Sequence, residues 1–219
     1  MNDVANTFLL IYASLFPIVN PVGGAPIFLA ATRYCTKAER NALARRVATN
    51  SFLLLFGSLF VGSHVLQFFG IALPVVSVAG GLVVSAFAWR LLHASADRFD
   101  QRSPRSPDEP VTPAEAFYPL TMPLTVGPGS ISVAITLGSQ RPMEAMPASE
   151  LALLGGAAAL GLLAIALTIY VCYRFAEKTA ATIGEAATNV IVRLTAFILL
   201  CIGIQIIWKG YSGLTQIAT

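Results

Sequence analysis

The residues best able to do chemistry in this chain are prolines and the small polar residues between them. The stretch Phe16-Pro17-Ile18-Val19-Asn20-Pro21-Val22-Gly23-Gly24-Ala25-Pro26 matches Tyr118-Pro119-Leu120-Thr121-Met122-Pro123-Leu124-Thr125-Val126-Gly127-Pro128. Its prolines 17, 21 and 26 align with 119, 123 and 128 at a single offset. A proline inside a helix removes a backbone N–H and clashes with the turn before it. Such triplets cannot sit in a continuous helix, so each block predicts a break. A break frees carbonyls and creates half-helix N-termini, which suit a small polar solute or a cation. The candidate contacts are Asn20, Pro21, Gly23, Gly24 and Pro26 in the first block. In the second they are Thr121, Pro123, Thr125, Gly127 and Pro128, with Gly129 and Ser130 following. The competing reading is that the prolines only kink two helices for packing.

The elements that must carry these blocks are set by composition. The chain has 219 residues, 56% hydrophobic and 11% charged, with a mean hydropathy of +0.72. An ordinary soluble domain is about 25% charged. A soluble globular protein, a disordered tail and a secreted disulfide scaffold are thereby excluded. Apolar runs lie at about 4–32, 47–69, 71–92, 113–138, 151–173 and 187–211. Each is long enough for a membrane span of about 20 residues. The second and third, separated by Phe69-Gly70, predict a helical hairpin. The start Met1-Asn2-Asp3 has no basic n-region, so the first run is expected to be a retained span rather than a signal peptide.

Charge position then tests the count. Arg33, Lys37, Arg40, Arg45 and Arg46 follow run one. Arg90, Arg98, Arg102 and Arg105 follow run three, and Arg174, Lys178 and Arg193 follow run five. The opposite side has only Arg141 and Lys209. This bias predicts six spans with both termini outside. An odd number of spans per block makes the second set inverted. The expected fold is therefore an all-α integral membrane protein of six transmembrane helices, built as two inverted three-helix repeats with spans one and four broken. Residues 1–96 form the first repeat, 97–112 a cytoplasmic Pro-rich linker, and 113–219 the second repeat.

Helix starts are legible at Thr36-Lys37-Ala38-Glu39, Thr112-Pro113-Ala114-Glu115 and Thr182-Ile183-Gly184-Glu185, each of capping-box form. Gln205 falls in the middle of the last run, where an amide either bonds across helices or lines a solute path. Arg193, near the cytoplasmic end of that run, either snorkels or pairs with Glu115 as a gate. His64 and Gln67 read as interfacial, and Trp89-Arg90 and Trp208-Lys209 as interface anchors. Ser77, Gly81 and Ser85, Ala157 and Gly161, and Ser58 and Gly62 form small-residue stripes. They predict close packing within one chain, with a homo-oligomer face as the alternative. Cys35, Cys172 and Cys201 have no metal spacing and read as free thiols. The chain lacks HExxH, GxSxG, Walker and GxGxxG motifs, so no enzyme is expected. Nothing points to nucleic acid, a metal or a cofactor. No Asp or Glu falls in mid-span, which leaves Na⁺ held by backbone carbonyls, another non-carboxylate route, or no ion coupling at all.

The block Asn20-Pro21-Val22-Gly23-Gly24-Ala25-Pro26-Ile27-Phe28, with Pro123-Leu124-Thr125-Val126-Gly127-Pro128-Gly129-Ser130-Ile131, resembles the MarC family of bacterial inner-membrane proteins. The resemblance implies a six-helix fold in the cytoplasmic membrane. It also implies transport of small neutral amino acids such as alanine or glycine, since some relatives are regarded as such transporters. The expected function is a secondary transporter, importer or exporter, of small neutral solutes working by alternating access. A non-transporting membrane scaffold and a channel-like facilitator stay open as alternatives.

Overall fold

The computed structural model of the chain describes residues 2–93, 116–139, 147–183 and 185–218. These residues form nine helical segments: α1 (Asn2–Val19), α2 (Pro21–Ala31), α3 (Lys37–Phe68), α4 (Leu73–His93), α5 (Ala116–Thr125), α6 (Pro128–Ser139), α7 (Ala148–Arg174), α8 (Ala176–Ile183) and α9 (Glu185–Ala218). The 97–112 linker and the Thr112–Glu115 cap fall outside the described residues. Helices α3, α4, α7 and the Val192–Thr215 stretch of α9 are each long and apolar enough to cross a membrane. Two further crossings follow if each bent pair counts as one: α1 with α2, bent by 40°, and α5 with α6, bent by 70°. Both bends fall on the proline blocks.

Local signals set the ends. Thr36 caps α3 in a full capping box: its Oγ1 accepts from the Glu39 amide, and the Thr36 N–H donates to Glu39 Oε2 at 2.8 Å. The other end of α3 closes at Gly70, whose φ is +65. There the Ile71 N–H reaches Leu66 O at 2.9 Å and the Gly70 N–H reaches Gln67 O at 3.0 Å. This is a Schellman stop, and it needs glycine because only glycine takes the left-handed conformation without a Cβ penalty. The turn is as tight as expected, but α3 and α4 do not run on as a packed hairpin. Instead α4 lies against α9 and α6, and α3 against α6 and α7. The cap expected at Thr182 also differs, since Thr182 lies inside α8.

Each bent pair rests on a continuous helix. The α1–α2 pair rests on α7, and the α5–α6 pair rests on α3. Likewise α2 touches α9 while α6 touches α4; α3 packs on α7 and α4 on α9. The main core joins α1, α2, α3, α5, α6 and α7, with Leu15, Phe28, Leu55, Leu162 and Ile169 fully buried. The α4–α9 pair holds a smaller cluster around Val84, Ala88 and Leu199, and a further one in which Leu91 and Ala196 meet Ile27 of α2. Its cohesion comes from glycine. A Cβ on Gly81 would stand 2.8 Å from Gly203 O, and one on Gly210 would stand 2.8 Å from Pro74 O. Such contact lets backbones approach closely, which is how helices gain attraction where lipid removes the hydrophobic drive.

Two basic clusters, the one following α2 and the one opening α8, meet at one end of the bundle. Arg40 Nη1 contacts Glu177 Oε2 at 2.8 Å, and Lys37 lies 3.5 Å from the same carboxylate. Arg40 also donates to the carbonyls of Thr32 and Cys35, so one guanidinium fastens α2, α3 and α8.

The glycine seam makes a paired prediction. Gly203→Val drives a side chain into the Ser85 amide, 2.8 Å from the Cβ position, and is expected to cost about 1–3 kcal/mol. Gly156→Ala, with nothing within 4 Å, is expected to shift stability by no more than about 0.5 kcal/mol. Thermal unfolding in mild detergent measures both; equal midpoints would refute the seam.

Candidate functional site

The first break is a single residue wide. Pro17 lies inside α1 and Pro26 inside α2, and only Asn20 leaves the right-handed region, at φ 50 and ψ 59. Asparagine is among the few residues with a side chain that accept this conformation. Pro21 then starts α2 at the position where its missing N–H costs least. Asn20 also serves as the cap: its Oδ1 accepts from the Gly23 amide at 3.2 Å. Its own N–H donates to Phe16 O, and its carbonyl accepts from the Gly24 N–H, each at 2.9 Å. The side-chain Nδ2 has no hydrogen-bond partner among the described residues.

The second break is wider. Tyr118 and Met122 take extended dihedrals within α5, each preceding a cis proline. The carbonyls left over are closed by side chains. Thr121 Oγ1 donates to Ala116 O at 2.6 Å, and Thr125 Oγ1 donates to Leu120 O at 2.7 Å. A hydroxyl has one proton, so each threonine must accept its second bond. Thr121 accepts from Asn50 Nδ2 of α3 at 3.4 Å. Thr125 accepts from the Tyr173 hydroxyl of α7 at 2.9 Å. Both threonines were expected to face solute; both are committed to holding the break.

A cavity of about 60 Å³ opens between the two breaks, walled by α4 and α9. An apolar cavity of about 150 Å³ accommodates benzene, so this one suits a solute of only a few heavy atoms. Of the expected residues, Asn20, Gly24, Pro123, Thr125, Gly127, Pro128, Gly129 and Ser130 line it. Pro21, Gly23, Pro26 and Thr121 do not, although Pro21, Gly23 and Thr121 are buried close by. Gln205 and Arg193 are exposed on α9, away from the cavity. Glu115 lies outside the described residues, and Arg193 makes no ion pair among those described. Sequence reasoning missed Thr195, which lines the cavity and whose Oγ1 stands 2.8 Å from where a Gly23 Cβ would be. Its hydroxyl, like Asn20 Nδ2, has no hydrogen-bond partner among the described residues. The first-turn amides of Gly129 and Ser130 lack an acceptor within α6 by virtue of position. Ser130 Oγ is spent on Gly127 O at 2.8 Å. The lining contains no carboxylate, no cysteine and no basic side chain. Among the described residues no cluster of three or more His, Cys, Asp or Glu could hold a metal.

Tyr173 ties the breaks together. It is fully buried, its ring stacks on Phe28 of α2 with centroids 4.5 Å apart, and its hydroxyl serves Thr125 of α5. Gly24 makes room for it, since a Cβ there would stand 2.7 Å from the Tyr173 hydroxyl oxygen but 3.4 and 3.5 Å from the nearest ring carbons. Gly24→Ala is therefore expected to cost about 1–3 kcal/mol. In a Tyr173→Phe background the clash disappears and the same change should cost markedly less. A double-mutant cycle read by thermal unfolding should give a coupling of about 1 kcal/mol or more; additive losses would mean the hydroxyl is not what Gly24 accommodates.

Comparison with known proteins agrees with this architecture. The family model described as "MarC family integral membrane protein" matches residues 5–215. Membrane protein YvbG of Bacillus subtilis (strain 168) is 29% identical over 95% of this chain and 96% of its own length. Membrane protein YhcE of Escherichia coli (strain K12) is 30% identical over 93% of this chain and 91% of its own. Inner membrane protein MarC of Salmonella typhimurium is 30% identical over 96% of each. No solved structure matches. Since the match runs unbroken through both proline breaks and all four continuous spans, the chain belongs to the MarC family of integral membrane proteins and sits in the lipid bilayer.

Proposed function

We propose that this chain is a secondary transporter of small neutral solutes, with zwitterionic amino acids of the size of alanine or glycine as the substrate class. The observation that carries the reading is the cavity between the two breaks, with its unengaged Asn20 amide, Thr195 hydroxyl and first-turn amides of α6. A solute carboxylate would meet the α6 N-terminus, where amides and helix dipole favour negative charge. The Thr195 oxygen and the Pro123 carbonyl would accept from its ammonium. Gly127 leaves that carbonyl open, because even a Cβ there would stand 3.4 Å from it. A lining without carboxylates fits a substrate of zero net charge.

The inverted-repeat reading is supported by the way the packing exchanges between halves, α1–α2 on α7 against α5–α6 on α3. The cavity lies at the seam between the main core and the α4–α9 pair. Alternating access then takes the form of that pair rocking against the core, with Asn20 and Gly127 as fixed points. The basic residues at one end argue for both termini outside, and the name of the Salmonella relative, an inner membrane protein, argues for a cytoplasmic-membrane location. No chemical conversion of the solute is part of this reading.

The test is purified protein in liposomes loaded with unlabelled alanine or glycine. Labelled solute is expected to accumulate by counterflow. Asn20→Ala and Thr195→Val should each slow entry about tenfold, equivalent to about 1.4 kcal/mol and within the range for a hydrogen bond to a charged group. Repeating the assay with and without a Na⁺ gradient reads ion coupling. Flux without counterflow would replace the carrier by a facilitator. Absence of flux across a broad solute panel would favour a non-transporting scaffold, and full rates in both variants would move the site elsewhere.

A further inference from the structure

The outward face of α9 carries a feature that neither the fold nor the cavity uses. Gln205 lies near the middle of the Val192–Thr215 span. It is exposed, and its amide has no hydrogen-bond partner among the described residues. In hydrocarbon an unpaired amide is costly. The side chain is far too short to snorkel about 15 Å, half the hydrocarbon thickness, to the interface. Turning α9 inward is blocked as well. Its opposite face is welded to α4 through Gly203 and Gly210, and Thr195 and Leu199 face the cavity.

The neighbours of Gln205 form a pattern. Leu194, Ile198, Cys201, Gln205 and Trp208 alternate at spacings of four and three, the period of a coiled-coil seam. All are exposed, Leu194 by 58%, Ile198 by 50% and Trp208 by 64%. The outward face of α7, by contrast, is purely apolar at Leu153, Leu160, Leu163 and Leu167. A single amide within an apolar seam fixes register and partner number in helix pairs. Glutamine is self-complementary, with one carbonyl acceptor and an NH₂ donor. The partner that satisfies it without a second motif is another copy of the same helix.

We propose that the chain forms a two-fold homodimer through this face of α9, with the Gln205 amides of the two copies hydrogen-bonded to each other in the bilayer interior. Both copies insert in the same sense, so the symmetry axis is normal to the membrane and like residues meet like. Cys201, one turn away, then lies beside its counterpart. The interface leaves the cavity untouched, so it stands or falls independently of the transport reading.

Cys201 makes the test direct. A Cys35→Ser/Cys172→Ser protein in its native membrane is treated with copper phenanthroline and run on a non-reducing gel. A reducible dimer is expected, and it should vanish in Cys201→Ser. Gln205→Leu should cut the cross-linked fraction at least fivefold, while Gln205→Asn, which keeps the amide, should retain at least half. Leucine at a lipid-facing site suits the monomer better than glutamine, so loss of the dimer would not reflect misfolding. Leu167→Cys in the cysteine-free Cys35→Ser/Cys172→Ser/Cys201→Ser background reports random collision. The proposal is overturned if Cys201 cross-links no better than Leu167→Cys, or if Gln205→Leu leaves the yield unchanged.

Discussion

A backbone carbonyl in hydrocarbon has no water to turn to, and the rest of this structure depends on that constraint. Each proline in the two blocks withdraws an N–H and strands an acceptor. The chain answers with side chains rather than by unfolding locally. Asn20 caps the restart of α2, Thr121 and Thr125 close two carbonyls of α5, and Ser130 closes Gly127. A second layer, Asn50 and Tyr173, supplies the donors these hydroxyls need in turn. The Asn20 Nδ2, the Thr195 hydroxyl and the first amides of α6 stay unengaged beside the breaks and border one cavity.

The same frame explains why the molecule has seams. Lipid tails are as apolar as leucine, so helices gain little by hiding leucine from them and much by close backbone contact. Gly81, Gly203 and Gly210 make the α4–α9 pair a unit, and Gly129 fits against Val84 where α6 meets it. The cavity lies where that unit meets the main core. Tyr173 connects the two breaks on the far side through Phe28, Gly24 and Thr125. Helix α9 has two working faces: one toward α4 and the cavity, and one outward with Gln205.

Much of this was legible from residue types. The breaks follow from proline chemistry, the start of α3 from Thr36 and Glu39, and its end from Gly70. Eight of the expected contacts reach the cavity because they cluster within the two breaks themselves. The errors share one cause. Gln205 was weighed as a packing or path residue, yet it faces outward. Thr121 and Thr125 each spend their proton on a backbone carbonyl, and Thr125 also lines the cavity. Thr195, Asn50 and Tyr173 carried no local signal, because what each one meets lies on a helix distant in sequence.

Sequence alone determined the breaks at the two proline blocks, the cap of α3 at Thr36 and its stop at Gly70, because those outcomes are governed by groups within a few residues of one another. It also determined that the chain belongs in a bilayer, since apolar length and scarce charge permit nothing else. Only tertiary structure decided which face of each helix turns inward. Helical periodicity groups residues onto faces, but in lipid nearly every face is apolar, so the inward one is chosen by glycine contacts and by hydroxyls finding carbonyls on other helices. That choice brought Thr195 to the cavity and left Gln205 outside.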